Sequence, residues 1–265
     1  MQKLTPNFSF SFDGIVWNMM LDETGEFLIL EIRQNEKHQV SFTAIALETG
    51  TVMWDGLEFE ENWWVGMTAF SNGMLLLHKY ADNEDPEPKS LIAFDVIKQE
   101  VRWMHEEFTY LKLTNEQVLG FDASNKNKQY ESINLIDGNR KAVDDESVLQ
   151  LPIDKKLVEE ALYPLHYKEG TAYFATCKTF LYNRLGLDAV NAIEYLEYNN
   201  RIIISYYIVE DKLANYLLIM DAEGLEFFHE PIQRNINAVG LETFFIVKNH
   251  LIFVKDKNEI FCYNL

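Results

Sequence analysis

Apolar and polar residues alternate in short bursts along this chain, and turn-forming residues break the bursts at regular intervals. The clearest burst is Ala44-Ile-Ala-Leu-Glu-Thr-Gly-Thr-Val-Met-Trp54. It predicts a strand, a turn at Glu48-Thr-Gly50 and a second strand carrying Trp54, because period-two alternation sets one face of a strand on a core. Ile92-Ala-Phe-Asp95 followed by Glu100-Val-Arg-Trp103 repeats the pattern, and Asn134–Ala142 and Leu218–Phe228 are weaker copies.

The strand-ending positions Trp17, Trp54, Trp103, Ala142 and Phe228 are separated by 37, 49, 39 and 86 residues. The last interval is about twice the others, which predicts a hidden unit between residues 145 and 200. A period of about 43 residues filled with short strands is what a four-stranded propeller blade needs. In the second unit the strands are Trp64–Phe70, Met74–Tyr80, Leu91–Asp95 and Glu100–Met104, with Asn72-Gly73 as a tight hairpin turn. Glu26–Arg33, Val118–Phe121, Tyr130–Ile136, Arg201–Val209, Asn215–Met220, Phe244–Lys248, Leu251–Lys255 and Glu259–Tyr263 supply strands of the other units. The weak fourth unit is expected to use Ala161–Tyr167, Thr171–Thr176 and Thr179–Tyr182 as strands.

The two chain ends complement each other. The C-terminal segment offers a third strand without a fourth, and Gly14-Ile-Val-Trp17 offers a fourth without a third. Pairing them closes a ring and removes exposed sheet edges. The fold expected is therefore all-β: one propeller domain over residues 1–265, with six blades, five or seven also fitting the spacing. A short helix is predicted near 154–162, where Asp154 can cap the first turn and Leu157, Val158, Ala161 and Leu162 share a face.

Ala46-Leu-Glu-Thr-Gly-Thr-Val-Met-Trp54, with Ala93-Phe-Asp95, Val101 and Trp103, resembles the repeat of the quinoprotein-type (PQQ-like) β-propellers. The resemblance is good over two units and only rhythmic elsewhere. It implies a propeller of the non-catalytic branch. Nothing here matches that family's quinone or calcium ligands, and Cys177 and Cys262 lie 85 positions apart, so no adjacent cysteines cover a cofactor. Fold alone carries no activity.

Composition sharpens this picture. Phe, Tyr and Trp are abundant (18, 13 and 5), as half-buried sheet favours. The formal charge is −19, from 42 acids and 23 bases, which disfavours nucleic acid and anionic membrane surfaces as partners. The N-terminal stretch has no signal-peptide pattern and no apolar run approaches the ~20 residues of a spanning helix, so a cytoplasmic monomer with reduced cysteines is expected.

In a propeller the connections that follow the fourth strands and the hairpins between the second and third share one face, and that face would collect Asp55, Glu58, Glu60, Glu61, Asp82–Glu87, His105-Glu-Glu107, Asp144–Glu146 and His229-Glu230. They predict an acidic face for a basic protein partner, with Trp63 and Trp64 as aromatic anchors and Glu60, Glu61, His105, Glu106, His229 and Glu230 as contacts. The two His-Glu pairs fall on different blades, beyond the ~2.1 Å reach of zinc–nitrogen bonds, so no metal is expected. Asp82–Pro88 lacks the spacing of a calcium loop. No cofactor is expected, and no serine elbow, phosphate loop or metalloprotease motif is present to name catalytic residues. The first expectation is a non-enzymatic scaffold. The alternative is a hydrolase or lyase acting on a small or sugar-like substrate in a central channel. Trp17, Trp54 and Trp103 are expected to pack between blades.

Overall fold

The computed structural model describes residues 4–80, 88–114, 116–122, 124, 129–144 and 161–265. They form an all-β chain of five antiparallel sheets and one helix. Two compact units divide it: Val16–Glu159, and Met1–Ile15 with Glu160–Leu265.

The Val16–Glu159 unit holds three four-stranded meanders. The first runs β2 (Ile15–Leu21), β3 (Phe27–Gln34), β4 (Gln39–Ala46), β5 (Thr51–Leu57). The second runs β6 (Val65–Ser71), β7 (Met74–Tyr80), β8 (Pro88–Asp95), β9 (Glu100–Glu106). The third runs β10 (Phe108–Thr114), β11 (Gln117–Asp122), β12 (Tyr130–Asn134), β13 (Arg140–Ala142). The inner strands β7 and β8 of the second sheet carry apolar residues on both sides because both faces are covered there. Leu75, Leu77, Ile92 and Phe94 meet Phe42 and Ala44 of the first sheet. Met74, Leu76, Leu91 and Ala93 meet Phe108, Val118 and Ile133 of the third. The Asn72-Gly73 hairpin forms as expected, with φ of 51° and 72° and Ser71 opposite Met74.

A backbone contact repeats through this unit. The residue after the third strand of each sheet sends its N–H to the turn between the first two: Leu47 to Glu26, Val96 to Gly73, and Leu135 to Glu116. Asp95 and Asn134 end the third strands and accept turn N–H groups with their side chains, from Lys98 and from Ile136 and Asp137 respectively.

The second unit holds two five-stranded sheets. One is β15 (Leu165–Lys168), β16 (Val190–Tyr198), β17 (Arg201–Val209), β18 (Leu213–Asp221), β19 (Glu226–Ile236). The other is ordered β1 (Phe8–Ser11), β22 (Glu259–Asn264), β21 (His250–Lys255), β20 (Phe244–Val247), β14 (Ala161–Leu162). Ile203, Leu217 and Ile219 pack against Phe244, Ile246, Leu251 and Phe253 across the two sheets.

Four expectations change. The chain ends pair, but through Phe8–Ser11, with Phe8 opposite Cys262; Ile15–Trp17 instead begin β2 of the first sheet. Phe8 and Phe10 alternating with Ser9 and Ser11 suit an edge strand with one covered side. Trp17 is 65% exposed, with the Arg33 guanidinium 5.6 Å from its ring centre, so it is not buried between sheets. Thr171–Thr176 and Thr179–Tyr182 are not strands: α1 (Ala172–Leu185) occupies them. Thr171 caps its start by accepting from the Phe174 N–H, and Gly186 at φ 70° ends it. Phe174 and Leu181, two turns apart, are its buried face. Residues 154–160 of the predicted short helix lie outside the described residues, and Ala161–Leu162 are strand.

Candidate functional site

The sharp turn between β9 and β10 is one residue long. Glu107 makes it with φ 53°, a left-handed conformation unusual for a side chain with a Cβ. The turn holds Glu106 and Glu107 beside the loop that links β5 to β6, which carries Glu60 and Glu61. Together these four carboxylates, with Lys79, Tyr80 and Ser90, line a cleft of about 590 Å³. Ser90 Oγ donates to Glu106 at 2.6 Å, and Lys79 Nζ lies 3.8 Å from the same carboxylate. Glu61 is tied down, its Oε1 accepting from the backbone N–H groups of Trp63 and Trp64, both at 2.9 Å. Like charges gathered around a partly wet cleft raise the local potential for cations. Among the described residues Lys79 is the one basic side chain lining it, and no histidine does.

The two tryptophans divide their roles. Trp63 packs on the core shared by the first and second sheets, 5.2 Å from the Arg33 guanidinium. Trp64 is 37% exposed and meets Tyr80 edge-on at 6.4 Å, next to the cleft. Of the residues expected to contact a partner, the structure brings Glu60, Glu61 and Glu106 together at the cleft, with Trp64 beside Tyr80 next to it. Glu107 belongs with them; its place in the acidic run was legible, and its left-handed turn was not.

The remaining expected contacts go elsewhere. His105 lies within β9, its ring 5.4 Å from that of Trp103 and its Nε2 2.8 Å from the Gly138 carbonyl oxygen. His229 and Glu230 lie within β19 of the other unit, not after it. His229 Nε2 is 2.6 Å from the Tyr206 hydroxyl, and burial pulls its imidazole below the ordinary range. Glu230 accepts from Lys255 at 3.2 Å. Asp55 accepts from Thr43 and Glu58 from Gln39, each at 2.5 Å. Asp82–Glu87, Asp145 and Glu146 lie outside the described residues.

Among the described residues no group of His, Cys, Asp or Glu is arranged to hold a metal ion. No helix among them is long and apolar enough to cross a membrane. Both cysteines are free, with Cys262 buried and its thiol pushed up to about 12 by desolvation.

A family model described as a domain of unknown function (DUF4905) matches residues 21–103. None of the curated proteins matches the chain. Among solved structures it is similar to BamB from Moraxella catarrhalis, at 11% identity and TM-score 0.28, over 100% of this chain and 62% of that one. It is similar to the β-propeller domain of Cps50 (Swd1) from Myceliophteria thermophila, at 8% identity and TM-score 0.40, over 100% of both chains. It is also similar to the β-propeller domain of the Trilobed protease from Pyrococcus furiosus, at 12% identity and TM-score 0.33, over 93% of this chain and 80% of that one. The chain spans 62% of BamB and 54% of TolB from Acinetobacter baumannii. At these scores the likenesses assign no partner or substrate to this chain.

Proposed function

We propose that this chain is a non-catalytic β-propeller scaffold, a cytoplasmic monomer that grips a basic segment of a protein partner. The grip is the cleft formed by Glu60, Glu61, Glu106 and Glu107, with Trp64 as an aromatic neighbour. The gathering of four carboxylates around about 590 Å³ with one lysine is the observation that carries this reading. A lysine- or arginine-rich strand would exchange counterions for these carboxylates, and rim charges of this kind act mainly on association rate and salt dependence.

The propeller reading draws on the repeated meanders. In this reading each of the five described sheets is one blade, and α1 occupies part of the long interval from Ala142 to Phe228 where the spacing predicts a further blade. Phe8–Ser11 adds an N-terminal strand to the sheet of the C-terminal strands. The repeat's PQQ-like character stays part of this proposal.

The test is titration of the protein with a Lys/Arg-rich peptide, followed by anisotropy at low and high salt. Saturable binding that weakens with salt, and is lost in Glu60→Gln/Glu107→Gln, is the expected result. Binding that ignores salt or survives the double substitution removes the proposal.

A further inference from the structure

A second concave site lies in the other unit, far in character from the acidic cleft. The helix α1 does not lie flush on its sheet. Phe174 and Leu181 bury against it, while Tyr173, Cys177 and Phe180 form a second stripe at helical spacing. Opposite that stripe stand Tyr195, Ile204 and Met220 on the sheet face, and Tyr167 closes one side. Between them is a cavity of about 390 Å³, within the range of roughly 300–1,000 Å³ usual for small-molecule sites.

Its chemistry is specific. None of the lining side chains described is charged. The rings are already ordered for stacking: Tyr167 lies 5.2 Å from Tyr173 at 19° and 6.3 Å from Tyr195 at 28°. The Tyr195 hydroxyl donates to Glu197, which fixes that ring and leaves its face to the cavity. The nearby cations are engaged elsewhere, Lys178 with Asp188 at 2.9 Å and Arg184 with the Gly224 carbonyl. An anionic ligand would meet no counter-charge here, and a cation would find ring faces but no carboxylate lining the walls. Burial also raises the Cys177, Tyr167 and Tyr195 acids above their ordinary ranges, while Tyr173 and Phe180 stay exposed at the mouth.

We propose that the cavity between α1 and the β16–β18 face is a binding site for an uncharged, planar aromatic or polycyclic small molecule, stacked among Tyr167, Tyr173 and Tyr195. Offset stacking and apolar burial would supply the affinity, and the tyrosine hydroxyls would orient any polar edge. This site is independent of the acidic cleft.

The probe is N-phenyl-1-naphthylamine, neutral and fluorescent in apolar surroundings. Titration of the full chain should give saturable, one-to-one binding that salt does not weaken. Bound probe should slow N-ethylmaleimide modification of Cys177, the half-buried thiol, with Cys262 buried in β22 as the internal reference. Thr176→Trp, on the exposed side of α1, should fill the mouth and weaken binding at least about tenfold without lowering the unfolding midpoint. Absence of saturation, or Cys177 modified at the same rate with and without probe, overturns the proposal. So does unchanged affinity in a folded Thr176→Trp protein.

Discussion

The indole N–H of Trp54 in β5 donates to the carbonyl of Val96, just past β8, at 3.0 Å. One sheet on, Trp103 in β9 does the same to Leu135 at 2.9 Å. Each outer-strand tryptophan thus bolts its sheet to the turn that follows the third strand of the next. Val96 and Leu135 are the residues whose N–H groups also tie that turn back to its own sheet. Trp54→Phe keeps the ring contact with Phe94, seen at 5.7 Å, but leaves the carbonyl of a buried residue without its donor. The expected cost is about 1 kcal/mol, and about 3 kcal/mol or more for Trp54→Ala, which also empties the ring's place. Urea unfolding followed by circular dichroism reads both; equal midpoints for Phe and wild type would show the bond to be idle.

Glycine substitutions should separate two kinds of constraint. At Gly120 a Cβ would collide with the Thr109 backbone carbonyl and the Phe108 ring, and backbone cannot swing aside. At Gly56 the φ is 68° but nothing lies within 4 Å. Gly120→Ala is therefore expected to cost about 3 kcal/mol, and Gly56→Ala about 1 kcal/mol of backbone strain alone. Comparable losses at the two sites would contradict this reading.

These same residues show what the sequence carried and what it did not. Trp54 and Trp103 stand at matching points of an alternating pattern, so their sheets were legible. Strand limits agree closely in places, Met74–Tyr80 in the second sheet and Arg201–Val209 in the other unit being identical to expectation. The third sheet has no tryptophan at Ala142, and its turn is organised by Asn134, whereas the pattern aligns Asp137 with Asp95. The helix was hidden because Thr, Tyr and Phe dominate residues 171–182, residues that favour strands. Its caps, Thr171 and Gly186, and the Phe174–Leu181 spacing were the contrary signals. The acidic cleft was half legible: charge runs located Glu60, Glu61 and Glu106, but only the fold sends His105 to the Gly138 carbonyl and His229 to Tyr206.

Glu107 offers a separation of stability from binding. Its φ of 53° suits glycine better than glutamate. Glu107→Gly is expected to keep or raise stability, by about 0.5–1 kcal/mol, while weakening the basic peptide by removing one cleft carboxylate. Thermal unfolding and peptide anisotropy on the same sample test this. Loss of both together would mean that Glu107 holds the turn through contacts its side chain makes.

Acid should loosen the first unit through His78. Burial foremost, and then the Arg33 guanidinium, pull its imidazole from 6.5 down to about 4. Its Nδ1 lies 2.7 Å from Thr68 Oγ1, and the missing side chain of Gly66 makes room for the ring. The unfolded chain takes up this proton below about pH 6.5 and the folded chain does not until about pH 4, so folding weakens as pH falls through that window. The slope approaches about 1.4 kcal/mol per pH unit, with His229 shifted in the same direction. Above the window the term contributes no further change. His78→Gln should be less stable near neutrality yet flatter between neutrality and about pH 5. An unchanged slope would assign the acid sensitivity to other groups.

The second unit relies on a buried carboxylate. Glu194 in β16 is 1% exposed and accepts from the backbone N–H groups of Glu242 and Thr243, at 2.5 and 2.9 Å, and from Thr243 Oγ1 at 2.6 Å. With its one proton given to Glu194, the Thr243 hydroxyl accepts from Ser205 Oγ at 2.7 Å, and Asn215 Nδ2 donates to Ser205 at 2.9 Å. The network joins the β16–β18 face to the segment that leads into β20, so it sets where one sheet meets the other. Glu194→Ala strands three donors in a dry place and is expected to cost about 3–5 kcal/mol. Thr243→Val alone should cost about 1–2 kcal/mol, since the carboxylate keeps both backbone donors. Because the two side chains share one hydrogen bond, their double substitution should cost less than the sum, by a coupling of about 1 kcal/mol or more. Strict additivity in urea unfolding would show that Glu194 acts through the backbone N–H groups alone, and that the threonine hydroxyl is a bystander.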